Sequence, residues 1–236
     1  PLIQITMQFS QLQQAVVAAA RVNTLLHEPA EPVRDGAAAV QAGAITVRDL
    51  HFAYQAGHPV LHGIDLDVPP GAFVGIVGHT GSGKSTLLSL LLRFYPAPAG
   101  SVLVDGMSVN QLEPQSLRRQ VGYVPQDVVL FHGDIRENIL LGNAQAGDAQ
   151  LLEALRLSCL DETLAQMPHG LGTQVGERGD RLSGGQRQAV SIARALVQQP
   201  RMLLLDEPSS MMDPGTESRL IENLRSIKGI TLLLVT

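Results

Sequence analysis

The chain has 236 residues, long enough to bury a sizeable core, with 22 acidic against 17 basic side chains and a formal charge of −5. That balance supplies no broad cationic field, so nucleic acid is not expected as a partner. Cys159 is the only cysteine, which excludes an intramolecular disulfide and a cysteine zinc cluster and fits a reducing, cytosolic setting.

No stretch reaches the roughly 18 consecutive apolar residues of a membrane-spanning helix, and Pro1 opens no basic-then-apolar leader. The chain is expected not to cross a bilayer by itself, and both ends read as cut from something longer. From Pro1 to about Leu26, Leu2, Ile5, Phe9, Leu12 and Val16 recur near helical spacing among five glutamines, with no charge before Arg21. This predicts a helix with a broad apolar face, either packed on the domain that follows or forming the tail of a membrane-domain helix (1–27). Residues 28–43, opening on Glu28-Pro29-Ala30-Glu31-Pro32, are rich in Pro, Ala and Gly and read as a linker.

Alternation from Ile45 to Tyr54 and from Val60 to Val68 predicts two half-exposed strands, followed by a turn at Pro69-Pro70-Gly71. Ala72 to Val77 is a continuous apolar run, expected as a strand buried on both faces of a parallel sheet. A helix is predicted from about Gly83 to Phe94, and further helices at Ile135–Leu141, Asp148–Leu157 and Gly184–Val197. Met202–Leu205 reads as a second buried strand, Gly215–Ile227 as a helix and Ile230–Val235 as a third strand. Strands alternating with helices argue an α/β domain.

Gly78-His79-Thr80-Gly81-Ser82-Gly83-Lys84-Ser85-Thr86 matches G-x-x-x-x-G-K-[ST], with an apolar strand before it and a helical pattern after it. Glycines let bare backbone N–H groups curl around phosphate oxygens, and the helix N-terminus adds partial positive charge. Lys84 is expected to reach the β- and γ-phosphates, and the Ser85 hydroxyl to ligate Mg²⁺. Asp206 follows four apolar residues and so falls at the carboxyl end of a buried strand. Alone it would read as a turn cap; beside a phosphate loop it reads as a Mg²⁺ group acting through water.

Downstream of the loop, Leu182-Ser183-Gly184-Gly185-Gln186 precedes Leu203-Leu204-Leu205-Asp206-Glu207. This trio, in this order, resembles the ATP-binding cassette (ABC) ATPases over nearly the whole chain. The resemblance implies a RecA-like P-loop NTPase core, an antiparallel β-subdomain near 44–76 and an α-helical subdomain near 128–182, within an ATP-binding domain at 44–236. It implies Glu207 as general base, Gln126 as a contact to Mg²⁺ and the attacking water, Tyr54 as the aromatic stacked on adenine, and Thr86 as an α-phosphate contact. Ser183, Gly184, Gly185 and Gln186 would close on ATP held by a second such domain, with Asp213 touching that partner site.

Gln174-Val175-Gly176-Glu177-Arg178-Gly179, Arg93-Phe94-Tyr95-Pro96 and the Ala20-Arg21-Val22 to Glu28-Pro29 pattern resemble exporter cassettes fused to a preceding membrane domain. An ATPase driving export from the cytoplasmic face of a membrane, that of the bacterial inner membrane, is the expectation. Pro208 after the glutamate departs from many exporters, as Met211-Met212 does from the family's usual wording. The family's switch histidine follows a strand ending in Val-Thr, and none of the seven histidines stands after Val235-Thr236, so residues 1–236 are expected to bind nucleotide better than they turn it over. Two rival readings are a soluble ABC ATPase of translation or DNA repair, which predicts basic surfaces or a long coiled coil, and a cassette that binds ATP only to regulate a partner.

Overall fold

The computed structural model describes residues 2–28, 31 and 40–236. They divide into two compact units, Pro1–Val33 and Arg34–Thr236. The first contains one helix, α1 (Leu2–Leu26), about 37 Å long at 1.5 Å per residue. Its Phe9, Leu12 and Val16 are exposed, while the side chains of Leu2 and Ile5 lie outside what is described. Interspersed glutamines dilute its apolar surface, and among the described residues no helix is long and apolar enough to cross a membrane. Most of the expected linker, residues 29–30 and 32–39, also lies outside the described residues.

In the second unit the chain forms β1 (Ile45–Gln55), β2 (His58–Val68), β3 (Phe73–Ile76), α2 (Lys84–Leu91), β4 (Val102–Val104), β5 (Met107–Ser108), α3 (Pro114–Arg119) and β6 (Val121–Val124). It continues through α4 (Ile135–Leu140), α5 (Asp148–Leu157), α6 (Asp161–Ala165), α7 (Gly184–Val197), β7 (Met202–Asp206), α8 (Pro214–Ser226) and β8 (Thr231–Val235). One sheet is antiparallel, in the order β2-β1-β4-β5; the other is parallel, in the order β3-β8-β7-β6. This is the α/β P-loop NTPase architecture, with the antiparallel subdomain recruiting residues 102–108 from beyond the phosphate loop.

Strand β7 sits between β8 and β6 and is buried throughout. Successive side chains of a strand point to opposite faces. Leu203 and Leu205 therefore enter one core with α5, α7 and α8, while Met202 and Leu204 enter the other with α2, β1 and β4. Covering both faces excludes polar residues from the strand and leaves them only at its ends.

Three expectations change. The run from Ala72 to Val77 forms an edge strand, β3, which pairs with β8 alone among the described residues; it is half-buried and Val77 is 82% exposed. The helix after the loop stops at Leu91 because Arg93 takes a left-handed conformation (φ 54°) and the Phe94 N–H returns to the Ser89 carbonyl at 2.9 Å, which closes the helix end. The antiparallel sheet also extends past residue 76. The backbone N–H groups of Gln41, Ala42 and Ala44 converge on the Asp105 carboxylate between β4 and β5 at 2.8 to 3.0 Å. Burial opposes ionisation of Asp105, but these donors outweigh it and hold its carboxyl below the usual range.

Leu204→Ala should cost about 2–5 kcal/mol, because Leu204 is 1% exposed inside a strand whose neighbours are paired on both sides. Urea unfolding should give a lower midpoint with an unchanged slope.

Candidate functional site

The phosphate loop leaves the end of β3 and enters α2 at Gly83. Its entry is tied to the end of β8: the Thr236 N–H donates to the Ile76 carbonyl at 3.0 Å. Gly81 (φ 81°) and Gly83 (φ 91°) adopt backbone conformations that L side chains avoid. Gly83 is also sterically required, since a Cβ there would lie 2.5 Å from Leu61 Cδ2 and 3.2 Å from the Val60 carbonyl. The first amides of α2 have no helical carbonyl to bind and face the loop. The Lys84 ammonium folds back, donating to the Gly78 carbonyl at 2.6 Å and the His79 carbonyl at 3.2 Å.

A hollow of about 210 Å³ brings together Val60, Thr80, Gly81, Gly83, Lys84, Ser85, Thr86, Gln126 and Glu207. Asp206, 2% exposed at the end of β7, has an Oδ1 with no hydrogen-bond partner, and the Ser82 hydroxyl is likewise buried and unpartnered. A buried polar atom without a partner costs about 1–3 kcal/mol, so both atoms are poised for one. Burial pushes the hydroxyl of Tyr123 on β6 up from its ordinary range, and the Asp206 charge adds to that shift. Glu207 follows in a left-handed conformation (φ 48°), and its Oε2 accepts from Gln126 Nε2 at 2.8 Å. The loop after β6 and the turn after β7 thus meet side chain to side chain.

Tyr54, on β1, is half-exposed, and its hydroxyl donates to the Thr86 hydroxyl at 3.2 Å. Its ring stands edge-on to Phe52 and Tyr95, with centroids 5.0 and 4.8 Å away. Other motif positions gather elsewhere. Ser183, Gly185, Gln186, Met211, Met212 and Asp213 line a second hollow of about 220 Å³ that shares no lining residue with the first.

Ser183 caps α7: its hydroxyl accepts from the Gln186 N–H at 3.2 Å, and Gln186 Oε1 accepts from the Ser183 N–H at 2.8 Å. Asp213 caps α8, accepting from the Gly215 and Thr216 N–H groups at 3.0 Å. Hydrogen bonds from Thr216 hold its carboxyl below the usual range. Gly184 lies against Met211, whose Sδ a Cβ at 184 would strike.

The loop at Gln174–Gly179 packs against the start of α4, with the Val175 N–H on the Gly133 carbonyl at 3.0 Å and the Val175 side chain fully buried. Sequence reasoning missed Val60, which flanks the first hollow, and Gln188, a buried glutamine beneath the second. Neither has a motif signal. Val60 lies on an alternating strand, and Gln188 lies in a run that reads simply as helix.

A glycine-rich loop between a parallel strand and a helix, with a carboxylate pair at the end of a central strand of the same sheet, defines a P-loop NTPase. A family model described as ABC transporter matches residues 61–210, and the chain belongs to that family. It is the nucleotide-binding domain of an ABC transporter whose relatives include Atm1- and ABCB7-type exporters.

The chain is 43% identical over 187 residues to the mitochondrial iron-sulfur clusters transporter ABCB7 of Homo sapiens, covering 79% of this chain and 25% of that protein. It is 37% identical over 236 residues to the multidrug resistance-like ATP-binding protein MdlB of Buchnera aphidicola, covering all of this chain and 40% of that one. Among solved structures it matches a bacterial Atm1-family ABC exporter with ATP bound, at a TM-score of 0.86 and 35% identity, over 98% of this chain and 41% of the exporter. The chain therefore spans between a quarter and about two fifths of the length of these relatives.

Gly83→Ala should destabilise the domain by about 1–3 kcal/mol, through the left-handed backbone and the clash with Leu61 together. Thermal unfolding of the variant beside Gly81→Ala, where a Cβ would meet nothing within 4 Å, separates the clash from the backbone term.

Proposed function

We propose that this domain binds and hydrolyses Mg·ATP and, working in pairs, drives export of a substrate through attached membrane helices. The observation that carries the reading is the convergence at one end of the parallel sheet of the phosphate loop, the unpartnered Asp206 Oδ1 and the Glu207–Gln126 contact.

In this reading the loop amides and Lys84 bind the β- and γ-phosphates. Lys84 exchanges its hydrogen bonds to the Gly78 and His79 carbonyls for charge-assisted ones. Thr86 contacts the α-phosphate, and Tyr54 stacks on adenine. Ser85, Gln126 and Asp206 would hold Mg²⁺, which supplies charge neutralisation at the phosphates when bound. An oxygen-only set with a buried, unpartnered carboxylate oxygen suits that hard cation. Glu207 orients the attacking water and accepts its proton.

The separate hollow lined by Ser183, Gly185, Gln186 and Asp213 supports a second domain as the partner, since it shares no residue with the hollow at this chain's own phosphate loop. Greater affinity of ATP for the closed pair is what draws the domains together, and hydrolysis removes that difference. We assign α1, within residues 1–27, to the end of a membrane-domain helix, 28–43 to a linker and 44–236 to the ATP-binding domain, with its helical part near 128–182. The exporter relatives support the cytoplasmic face of a membrane as its setting, and the bacterial ones among them support the bacterial inner membrane.

Lys84→Ala should weaken binding of a fluorescent Mg·ATP analogue by about a hundredfold or more, through loss of a charge-assisted contact. An unchanged titration would remove the phosphate assignment. Glu207→Gln in the full-length protein should keep ATP binding, lower kcat by about two to four orders of magnitude and trap a dimer on size exclusion with ATP. A variant that stays monomeric and hydrolyses normally would take Glu207 out of its role.

A further inference from the structure

We infer that Gln188 is a positioning residue that aims Glu207 and ties it to the Ser183–Gln186 turn; this rests on the reading of Glu207 as the group that orients the attacking water. Gln188 lies on α7, five residues beyond Ser183, and is 3% exposed. Its amide is engaged at both ends. Nε2 donates to the Glu207 carbonyl at 3.0 Å and to the Ser210 hydroxyl at 3.1 Å, while Oε1 accepts from the Met211 N–H at 3.2 Å.

Glu207 needs such support because its φ of 48° is unfavourable for a side chain with a Cβ. The peptide before it is held by its N–H, which donates to the Val235 carbonyl at 2.9 Å. The peptide after it is held by Gln188. With both peptides fixed, the carboxylate is directed at Gln126, 2.8 Å away.

The same amide fixes Met211, whose side chain covers Gly184 and whose carbonyl lies within 3.0 Å of a Cβ built on Gly185. One buried side chain therefore bridges the turn that faces the partner domain and the residue that acts on this domain's own water. The Ser183–Gln186 turn is thereby connected to Glu207 through helix α7, Met211 and the Gln188 amide.

The test uses the full-length transporter, with kcat for ATP hydrolysis, the Kd for Mg·ATP and the thermal midpoint measured on each variant. Gln188→Met keeps the side-chain volume and removes all three hydrogen bonds; kcat should fall about tenfold or more while Kd stays within about twofold. Gln188→Glu keeps the acceptor for Met211 and removes both donors, so it should lose kcat similarly even if the methionine variant folds poorly. Gln198→Met is the control: at the end of the same helix, Gln198 Nε2 donates to the Val121 carbonyl at 3.1 Å, and its loss should leave kcat unchanged. Wild-type kcat in both Gln188 variants, or an equal fall in Gln198→Met, would overturn the inference. Glu207→Gln run alongside separates the two readings. If it is inactive while Gln188→Met is normal, only the positioning role fails; if it hydrolyses normally, the role of Glu207 fails and the inference goes with it.

Discussion

Burial of β7 on both faces is the constraint from which the site follows. Each of its five residues is buried, and its leucines are divided between two cores, so no polar side chain along its length could be solvated or paired without cost. Polar chemistry can emerge only where the strand stops. There the chain places Asp206 with one oxygen unpartnered, then turns through a left-handed glutamate that faces Gln126. The parallel pairing of β3, β8, β7 and β6 brings the segments that follow β3, β6 and β7 to the same end of the sheet. Convergence of Gln126, Glu207 and the phosphate loop is a property of that topology before it is one of any individual residue.

Helix α7 is the second organising element, and it is anchored at several points along its length. Its N-terminus is closed by the Ser183–Gln186 capping box, and the Arg187 guanidinium donates to the Leu182 carbonyl at 2.7 Å. Further along, Arg194 donates to the Asn138 carbonyl and side chain and to the Val129 carbonyl, at 2.9 to 3.1 Å, and lies 5.9 Å over the Phe131 ring. Burial pulls the Arg194 pKa down from its ordinary range, yet the charge is satisfied by neutral acceptors and an aromatic face. The segment after Gln126, which exposes Val129 and Phe131, is in this way fastened to the helix that begins at Ser183.

Much of this was legible in the sequence because it depends on short-range pattern. The four apolar residues before Asp206 read as a buried strand, and the glycines before Lys84 read as a loop built for backbone donors. Family resemblance, rather than pattern, singled out Gln126 and Tyr54, which hydrogen-bond to Glu207 and Thr86. What escaped was decided by long-range pairing. β4 and β5 have three and two residues, too few for an alternation to register, and they become strands only because β1 receives β4 and β4 receives β5. The leucine-rich helix after the phosphate loop has no sequence feature that announces the left-handed stop at Arg93. Gln188 reads as one more polar residue on a helix until the turn after β7 folds over it. The apolar run of β3 is indistinguishable from that of β7 by composition, and its lesser burial follows from its position at the edge of the sheet.

That edge has a bearing on how the isolated domain behaves in concentrated solution. Among the described residues β3 offers one side of its backbone to no neighbouring strand, and Val77 just past its end is almost fully exposed. A free strand edge is a template for another chain's strand. Self-association through this edge would be indifferent to nucleotide and to Lys84, because it is built from backbone amides and carbonyls. Such an association would differ in its chemistry from the nucleotide-dependent pair proposed above, since it would grow as a sheet grows.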